Sequence, residues 1–343
     1  MKVGSVVYAT DQGLGVLSKS FWDAGVVTDV VIMDHHSREN HRDWYPAGTP
    51  HFPPRDMYGA NIEALEKLCR EVDVMLFFET PFHWPLLEYC KRIGKKTVLM
   101  PMYECTPEQL PGGIQPSAWL CPSQLDYQYY PNTVERVSKF IPIPVDEHIP
   151  YRLRTKAEVF VHNAGNGGLR GRNGTQELLQ SLEFVKSPIK LILRSQVPLG
   201  TVLEGYPKIP DHVRIDYQYG CPPLDFIWRD GDVFIFPEKF NGLSLPLQEA
   251  RAAGMLVMCA ERFPMTEWLP TGPMIPISGT QPARVSGRMN EFNEAIIDPQ
   301  SIANTIDEWY GKDISWYSES ATDFREEISW KTLKPQYMEF LKP

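Results

Sequence analysis

The chain has 343 residues, 43% of them hydrophobic and 22% charged, and a formal net charge of −9. That length exceeds one ordinary domain and fits two of middling size, each able to bury a core. The 9 Trp, 15 Tyr and 16 Phe are unlike a disordered chain, and the lack of any Lys/Arg run argues against non-specific nucleic-acid binding, which needs clustered cations.

Met1-Lys-Val-Gly-Ser-Val-Val-Tyr-Ala9 enters a strand pattern at once, with no signal-peptide layout. Residues 3–9 read as a strand, a turn with Gly13 and Gly15 follows, and 16–24 reads as a helix. A second strand covers 27–33. Residues 35–58 are polar and rich in Pro and His, which predicts a long loop. His35, His36 and His41 within it match no metal-ligand spacing. Helices at 62–69 and 85–93 then alternate with strands at 73–78 and 96–102. Strands at 118–121 and 139–143 close this half. After a linker-like segment, 142–156, the pattern restarts with a strand at 158–163 and a Gly/Arg loop. A helix at 175–182 and strands at 189–194 and 213–217 come next. A short helix at 224–229, a strand at 232–237, a helix at 245–253, a strand at 255–259 and a helix at 302–309 follow. Residues 318–341 read as mainly helical, with a break near Pro335.

Short apolar runs alternating with helical patterns signal βαβ units and parallel sheets. The expected fold is α/β, with two Rossmann-like doubly wound domains facing across a cleft. The first spans 1–147 and the second 155–314, with a C-terminal helix at about 315–343 packing back on the first. The six cysteines (Cys69, Cys90, Cys105, Cys121, Cys221, Cys259) form no CxxC pair and no zinc pattern, so they read as buried free thiols in a reducing cytoplasm. No apolar run approaches ~18 residues, so no membrane span is expected.

Four regions carry candidate chemistry. In Asp232-Val-Phe-Ile-Phe-Pro-Glu-Lys-Phe-Asn241-Gly-Leu-Ser-Leu-Pro-Leu-Gln-Glu249 a buried strand runs into a loop and then a helix. The amides of Gly242, Leu243, Ser244 and Leu245 lie at a positive helix end, a site for an anion or a sugar oxygen. Glu249, about a turn further on, can accept two hydrogen bonds from a cis-diol such as a ribose. In His162-Asn-Ala-Gly-Asn-Gly-Gly-Leu-Arg170-Gly-Arg172-Asn-Gly-Thr175, glycines after a strand allow close backbone approach, and Arg170 and Arg172 supply cations just before a helix. Arg194 ends the next strand. Tyr217 and Tyr219 end another, where a base can stack or a core ring can sit. In the first half, Gly13 and Gly15 form a turn that flanks a ligand or is simply a turn. Glu79, His83 and Glu104 follow two neighbouring strands and are candidates to orient or deprotonate an acceptor hydroxyl.

The segment 241–249 resembles the donor-binding signature of retaining glycosyltransferases of the GT-B fold, especially glycosyltransferase family 4. That pattern is roughly Glu-Gly-Phe-Gly-Leu-Pro-Leu-Leu-Glu-Ala, with acids eight positions apart. Gly254-Met-Leu-Val257, Glu267-Trp-Leu269, Phe140-Ile-Pro-Ile-Pro-Val-Asp146, Ala295-Ile-Ile-Asp-Pro-Gln-Ser-Ile-Ala303 and Ile328-Ser-Trp330 are similar to further family segments in the same order. The likeness is good from about 140 to 331 and only generic before that. One departure stands out: Asn241 replaces the first acid, the residue that contacts the donor sugar in the family.

The resemblance implies transfer of a sugar from a nucleotide sugar, such as a UDP- or GDP-sugar, to an acceptor hydroxyl with retention. Arg172 takes the place of the family's basic residue that holds the donor diphosphate, though spacing alone does not separate it from Arg170. Glu249 holds the ribose. No cofactor and no essential metal are implied. The acceptor is a glycan or surface-polysaccharide precursor, or alternatively a hydroxymethylated pyrimidine in DNA. Asn241 also motivates a non-catalytic nucleotide- or glycan-binding protein, and a sugar-nucleotide epimerase of the same fold is a third possibility.

Overall fold

The computed structural model describes residues 1–36, 38–53, 62–107, 109–145, 147–200, 203, 209–220, 222–269, 272–284 and 291–343. Asp146 and Cys221, both named above, lie outside them. The chain divides into two units. Unit 1 comprises Met1–Pro144, Arg284 and Trp330–Pro343, and unit 2 comprises Val145–Ala283 and Glu291–Ser329.

Unit 1 runs β1 (Val3–Tyr8), α1 (Gly13–Asp23), β2 (Asp29–Met33), β3 (His51–Phe52), α2 (Ile62–Glu71), β4 (Val74–Phe78), α3 (Pro85–Arg92), β5 (Lys96–Met100), β6 (Ala118–Cys121), α4 (Gln124–Tyr129) and β7 (Ser138–Phe140). The sheet order is β3-β2-β1-β4-β5-β6-β7, with parallel pairing throughout. Every residue of β4 is buried, as expected of a strand covered on both faces. Two elements escape the sequence pattern. β3 lies inside the expected long loop, because its two residues are too few to show a period. α4 is brief and is set by Ser123, whose Oγ accepts the Asp126 N–H at 3.1 Å as an N-cap. β7 ends at Phe140, short of the expected 143, because Pro142 and Pro144 cannot donate to a ladder.

Unit 2 runs β8 (Val159–Gly165), α5 (Thr175–Ser181), β9 (Lys190–Ser195), β10 (Arg214–Tyr219), α6 (Leu224–Ile227), β11 (Val233–Phe236), α7 (Leu245–Ala252), β12 (Leu256–Ala260), α8 (Met265–Trp268), β13 (Met274–Ile275), β14 (Gly279–Arg284), β15 (Glu291–Ile296), α9 (Pro299–Trp309) and α10 (Ser315–Glu327). Its main sheet, β10-β9-β8-β11-β12-β13, is also parallel. It therefore repeats the first six positions of the unit 1 order. Phe160, Leu191, Ile235, Leu256 and Ile302 anchor its core. β14 and β15 form a separate two-stranded sheet that the sequence reading did not anticipate, since Gly279-Thr-Gln-Pro-Ala-Arg284 has no apolar run.

The linker-like segment is stapled into unit 2. Arg154 is buried, and its guanidinium donates to the carbonyls of Gly231 at 2.7 Å, Arg152 at 2.9 Å, Trp228 at 2.9 Å and also Ala253. Burial, followed by Arg152 nearby, pulls its pKa down to about 10, and the four carbonyls satisfy a cation that could not otherwise be buried.

The helical C-terminus breaks at Ile328–Ser329, where Ser329 leaves α10 to bridge to Val145. It does not break at Pro335, which sits inside α11 (Trp330–Phe340). A proline there removes one backbone donor and crowds the carbonyl four residues back, and the helix continues through it with Leu333 and Tyr337 buried on either side. α11 belongs to unit 1, while α10 stays in unit 2 against α7. Trp330 Nε1 donates to Ser20 Oγ at 2.9 Å, and the fully buried Tyr337 donates to the Pro142 carbonyl at 2.8 Å. Phe21 meets both rings edge-on. Replacing Tyr337 with Ala should cost unit 1 about 3–5 kcal/mol, and replacing it with Phe about 1 kcal/mol. Urea unfolding of the two variants checks both values.

Candidate functional site

In a doubly wound sheet the helices switch sides between the strands on either side of the order reversal, and a crevice opens at their carboxyl ends. The reversal lies between β1 and β4 in unit 1 and between β8 and β11 in unit 2. The loops that leave these four strands carry most of the sequence candidates.

Two loops meet at the unit 2 reversal. Residues 166–174 follow β8, and residues 237–244 follow β11. Gly174 has φ +71, and a Cβ there would stand 1.9 Å from the Pro237 carbonyl oxygen. Only glycine allows that approach. The Lys239 N–H donates to the Arg172 carbonyl at 2.8 Å, and Lys239 pairs with Glu177 at 2.6 Å. The Arg172 guanidinium lies 5.5 Å from the centre of the Phe240 ring, within cation–π range. Asn173 Nδ2 donates to the Asn163 and Ala164 carbonyls. Arg170 is exposed one turn earlier.

Beneath the second loop lies Glu238, fully buried. One of its oxygens accepts Asn241 Nδ2 at 2.6 Å, and the other accepts the Ser244 hydroxyl at 2.9 Å. Burial lifts this carboxyl above the usual carboxylate range, while Arg172, Asn241, Arg262 and Ser244 pull it back. Arg262 reinforces the loop by donating to the Lys239 and Asn241 carbonyls, each at 3.1 Å. Asn241 Oδ1 accepts the Leu243 and Ser244 N–H groups, each at 3.0 Å. Those two amides, expected from sequence to face a ligand, are thus turned inward onto Asn241. Gly242 and Leu243 are buried, and Leu245 opens α7 half-buried.

Glu249 stands on α7, where its Oε2 accepts the indole N–H of the buried Trp228 at 3.1 Å. Arg194 is buried at the end of β9. Its Nε donates to Gln218 at 2.9 Å and its Nη1 to the Ile227 carbonyl at 2.6 Å. Its Nη2 has no hydrogen-bond partner among the described residues. Tyr217 is half-buried against the core, and its hydroxyl accepts the Leu199 N–H at 2.8 Å and donates to the Val197 carbonyl. Tyr219 is 66% exposed at the same edge.

At the unit 1 reversal, Gly13 opens α1 in open space, whereas a Cβ on Gly15 would lie 2.1 Å from the Thr10 carbonyl oxygen. Glu79 directly follows β4, with φ +64. Its N–H donates to the Met100 carbonyl at 2.8 Å, and its own carbonyl accepts the Thr106 hydroxyl at 2.7 Å. Glu104 is buried in the neighbouring loop. His83 instead lines a hollow with Ile62, Glu66, Leu86, Tyr89 and Arg92 of the helix layer, and burial lowers its pKa. Among the described residues only Glu79, Phe82 and Ser244 are non-glycine residues with positive φ. Glu79 and Phe82 lie after β4 and Ser244 after β11, so the strained backbone falls on equivalent loops of the two units.

Sequence reasoning passed over Glu238, Arg262 and Trp228. The available signal was a second acid three residues before Asn241. It also missed the part played by His162, which is fully buried on β8. Its Nδ1 faces the Ile235 carbonyl at 2.9 Å, so Nδ1 carries the proton, and Nε2 accepts the Thr175 hydroxyl at 2.9 Å. This joins β8, β11 and the start of α5 behind the site.

No protein-family model matches the chain, and no curated protein sequence matches it. Solved structures do. HepE of Anabaena, in complex with UDP and glucose, matches with a TM-score of 0.68 at 12% identity over 99% of both chains. Sucrose-phosphate synthase of Thermosynechococcus elongatus matches at 0.64 and 11% identity, over 99% of this chain and 98% of that one. The lipopolysaccharide outer core galactosyltransferase WaaB, in its apo form, matches at 0.63 and 11%, over 99% and 100%. The chain thus has the GT-B fold of these glycosyltransferases. No helix among the described residues is long and apolar enough to cross a membrane.

Burial lowers the His162 pKa from 6.5 to about 4. Its stabilising contribution is therefore complete above pH 6.5 and is lost as pH falls toward 4, because the unfolded chain takes up the proton first. The loss is about 3 kcal/mol over that window. Unfolding free energies of wild type and His162→Gln, measured from pH 7 to 4, should show the variant's slope flatter by nearly one proton. Gly174→Ala should destabilise unit 2 by more than about 2 kcal/mol through strain and the Pro237 clash, as read by thermal unfolding.

Proposed function

We propose that the chain is a retaining glycosyltransferase that moves a sugar from a nucleotide-sugar donor to a hydroxyl of a glycan or surface-polysaccharide precursor. The observation that carries this reading is the gathering of Arg172, Asn241 and Glu249 on elements that leave the unit 2 reversal. The GT-B fold shared with HepE, which was solved with UDP and with UDP-glucose, supports a nucleotide-sugar donor.

In this reading Arg172 holds the donor diphosphate. Its planar fork suits two phosphate oxygens, and its fixed charge stabilises the nucleoside diphosphate as the glycosidic bond breaks. No metal is needed for that step. Glu249 accepts the ribose hydroxyls, with Trp228 fixing its orientation through Oε2. Asn241 faces the sugar. Arg194, whose buried Nη2 has no hydrogen-bond partner among the described residues, adds a donor at the carboxyl end of β9. Glu79 and Glu104 orient the acceptor hydroxyl.

Incubation with UDP-, GDP- and ADP-sugars should release free nucleoside diphosphate from one of them. Arg172→Ala should lower kcat for that donor about 10²–10³-fold. Glu249→Ala should raise the donor KM by tenfold or more, roughly one lost charged hydrogen bond. Failure of every donor to release its diphosphate, alongside tight nucleotide binding, would favour a binding protein over an enzyme.

A further inference from the structure

The hydrogen bonds around Asn241 determine what it can offer a ligand. Its Oδ1 accepts two backbone N–H groups, from Leu243 and Ser244, which fills both lone pairs of the amide oxygen. Its Nδ2 gives one N–H to Glu238. Backbone N–H groups only donate, so the atom facing them is oxygen, and the network sets the orientation of the amide. What remains, among the described residues, is a single N–H on a half-buried side chain. This position can therefore donate to a ligand and cannot accept from one.

Glu238 also dictates which residue can stand there. A carboxylate at 241 would face the buried Glu238 carboxylate across a contact that is now 2.6 Å. Two such groups cannot both ionise at that distance. Asparagine satisfies the backbone amides on one side and the carboxylate on the other, and it adds no charge. The neutral donor at 241 is thus the counterpart of the acid at 238. Arg172 and Arg262 both act against the effect of burial on Glu238 and favour its charged form.

Resting on the nucleotide-sugar reading above, we propose that the sugar subsite at Asn241 selects a donor sugar bearing a carboxylate, a hexuronic acid, over a neutral hexose. An acid at 241 would repel such a sugar. The amide N–H instead makes a charge-assisted bond to its carboxylate, stronger than the bond it makes to a hydroxyl.

The test is calorimetric titration of the full chain with UDP, UDP-glucose and UDP-glucuronate. The wild type should bind UDP-glucuronate about tenfold tighter than UDP-glucose, the difference between a charged and a neutral hydrogen bond. Asn241→Asp should abolish that preference, read as the ratio of the UDP-glucuronate and UDP-glucose Kd values, a ratio that a general structural defect weakening both ligands alike would leave in place. Because the like-charge pair in that variant strains the loop, the double variant Glu238→Gln/Asn241→Glu provides the second measurement, and it should reverse the preference toward UDP-glucose. Equal or tighter binding of UDP-glucose by the wild type, or a ratio unmoved in both variants, overturns the proposal while UDP binding upholds the nucleotide reading. Absence of UDP binding overturns the nucleotide reading and this proposal together.

Discussion

The buried carboxylate of Glu238 is the constraint on which the candidate site depends. An acid with no exposed surface must be hydrogen-bonded, and any charge it carries must be countered. Asn241 and Ser244 supply the hydrogen bonds, and Arg172 and Arg262 supply the opposing charge. Satisfying one acid therefore fixes the conformation of the 237–244 loop, the left-handed backbone of Ser244 and the place of Arg172. Gly174 closes the arrangement from the other side, where the absence of a Cβ lets the loop after β8 touch the Pro237 carbonyl.

Unit 1 repeats part of this backbone arrangement. Both sheets reverse order after the equivalent strand, and both carry strained, non-glycine residues on the loop beyond the reversal. Gly15, whose missing Cβ leaves room for the Thr10 carbonyl, makes a close approach within its own loop, whereas Gly174 makes one between two loops. Unit 2 differs in pairing a buried acid, Glu238, with the half-buried Arg172 and Arg262 at its reversal, and that difference is why the donor chemistry is proposed for it.

Much of this was legible in the sequence. The alternation of apolar runs and helical stretches is a local signal, and it placed the long strands and helices of both sheets. What escaped was short or non-local. β3 has two residues, and β14–β15 lack an apolar run. The break at Ile328 arises from pairing with Val145, some 180 residues away in the chain, whereas Pro335 carried a strong local signal and no break. At the site, the loops were found by their glycines and by a family resemblance, but the role of each side chain was not. The spacing from Asn241 to Glu249 says nothing of an acid three residues earlier folding back beneath Asn241. Nor does it reveal that the Leu243 and Ser244 amides turn inward, or that Trp228 reaches Glu249 from α6's end.

The proposed nucleotide-sugar site comprises the loops after β8 and β11 with the first turns of α7. Hydrogen–deuterium exchange of the whole chain with and without saturating UDP-sugar tests it most directly. Slowed exchange in 170–174 and 241–249, with the helix layer around His83 unchanged, is the expected result. Protection confined to other segments, with 170–174 and 241–249 exchanging as in the free protein, would contradict it.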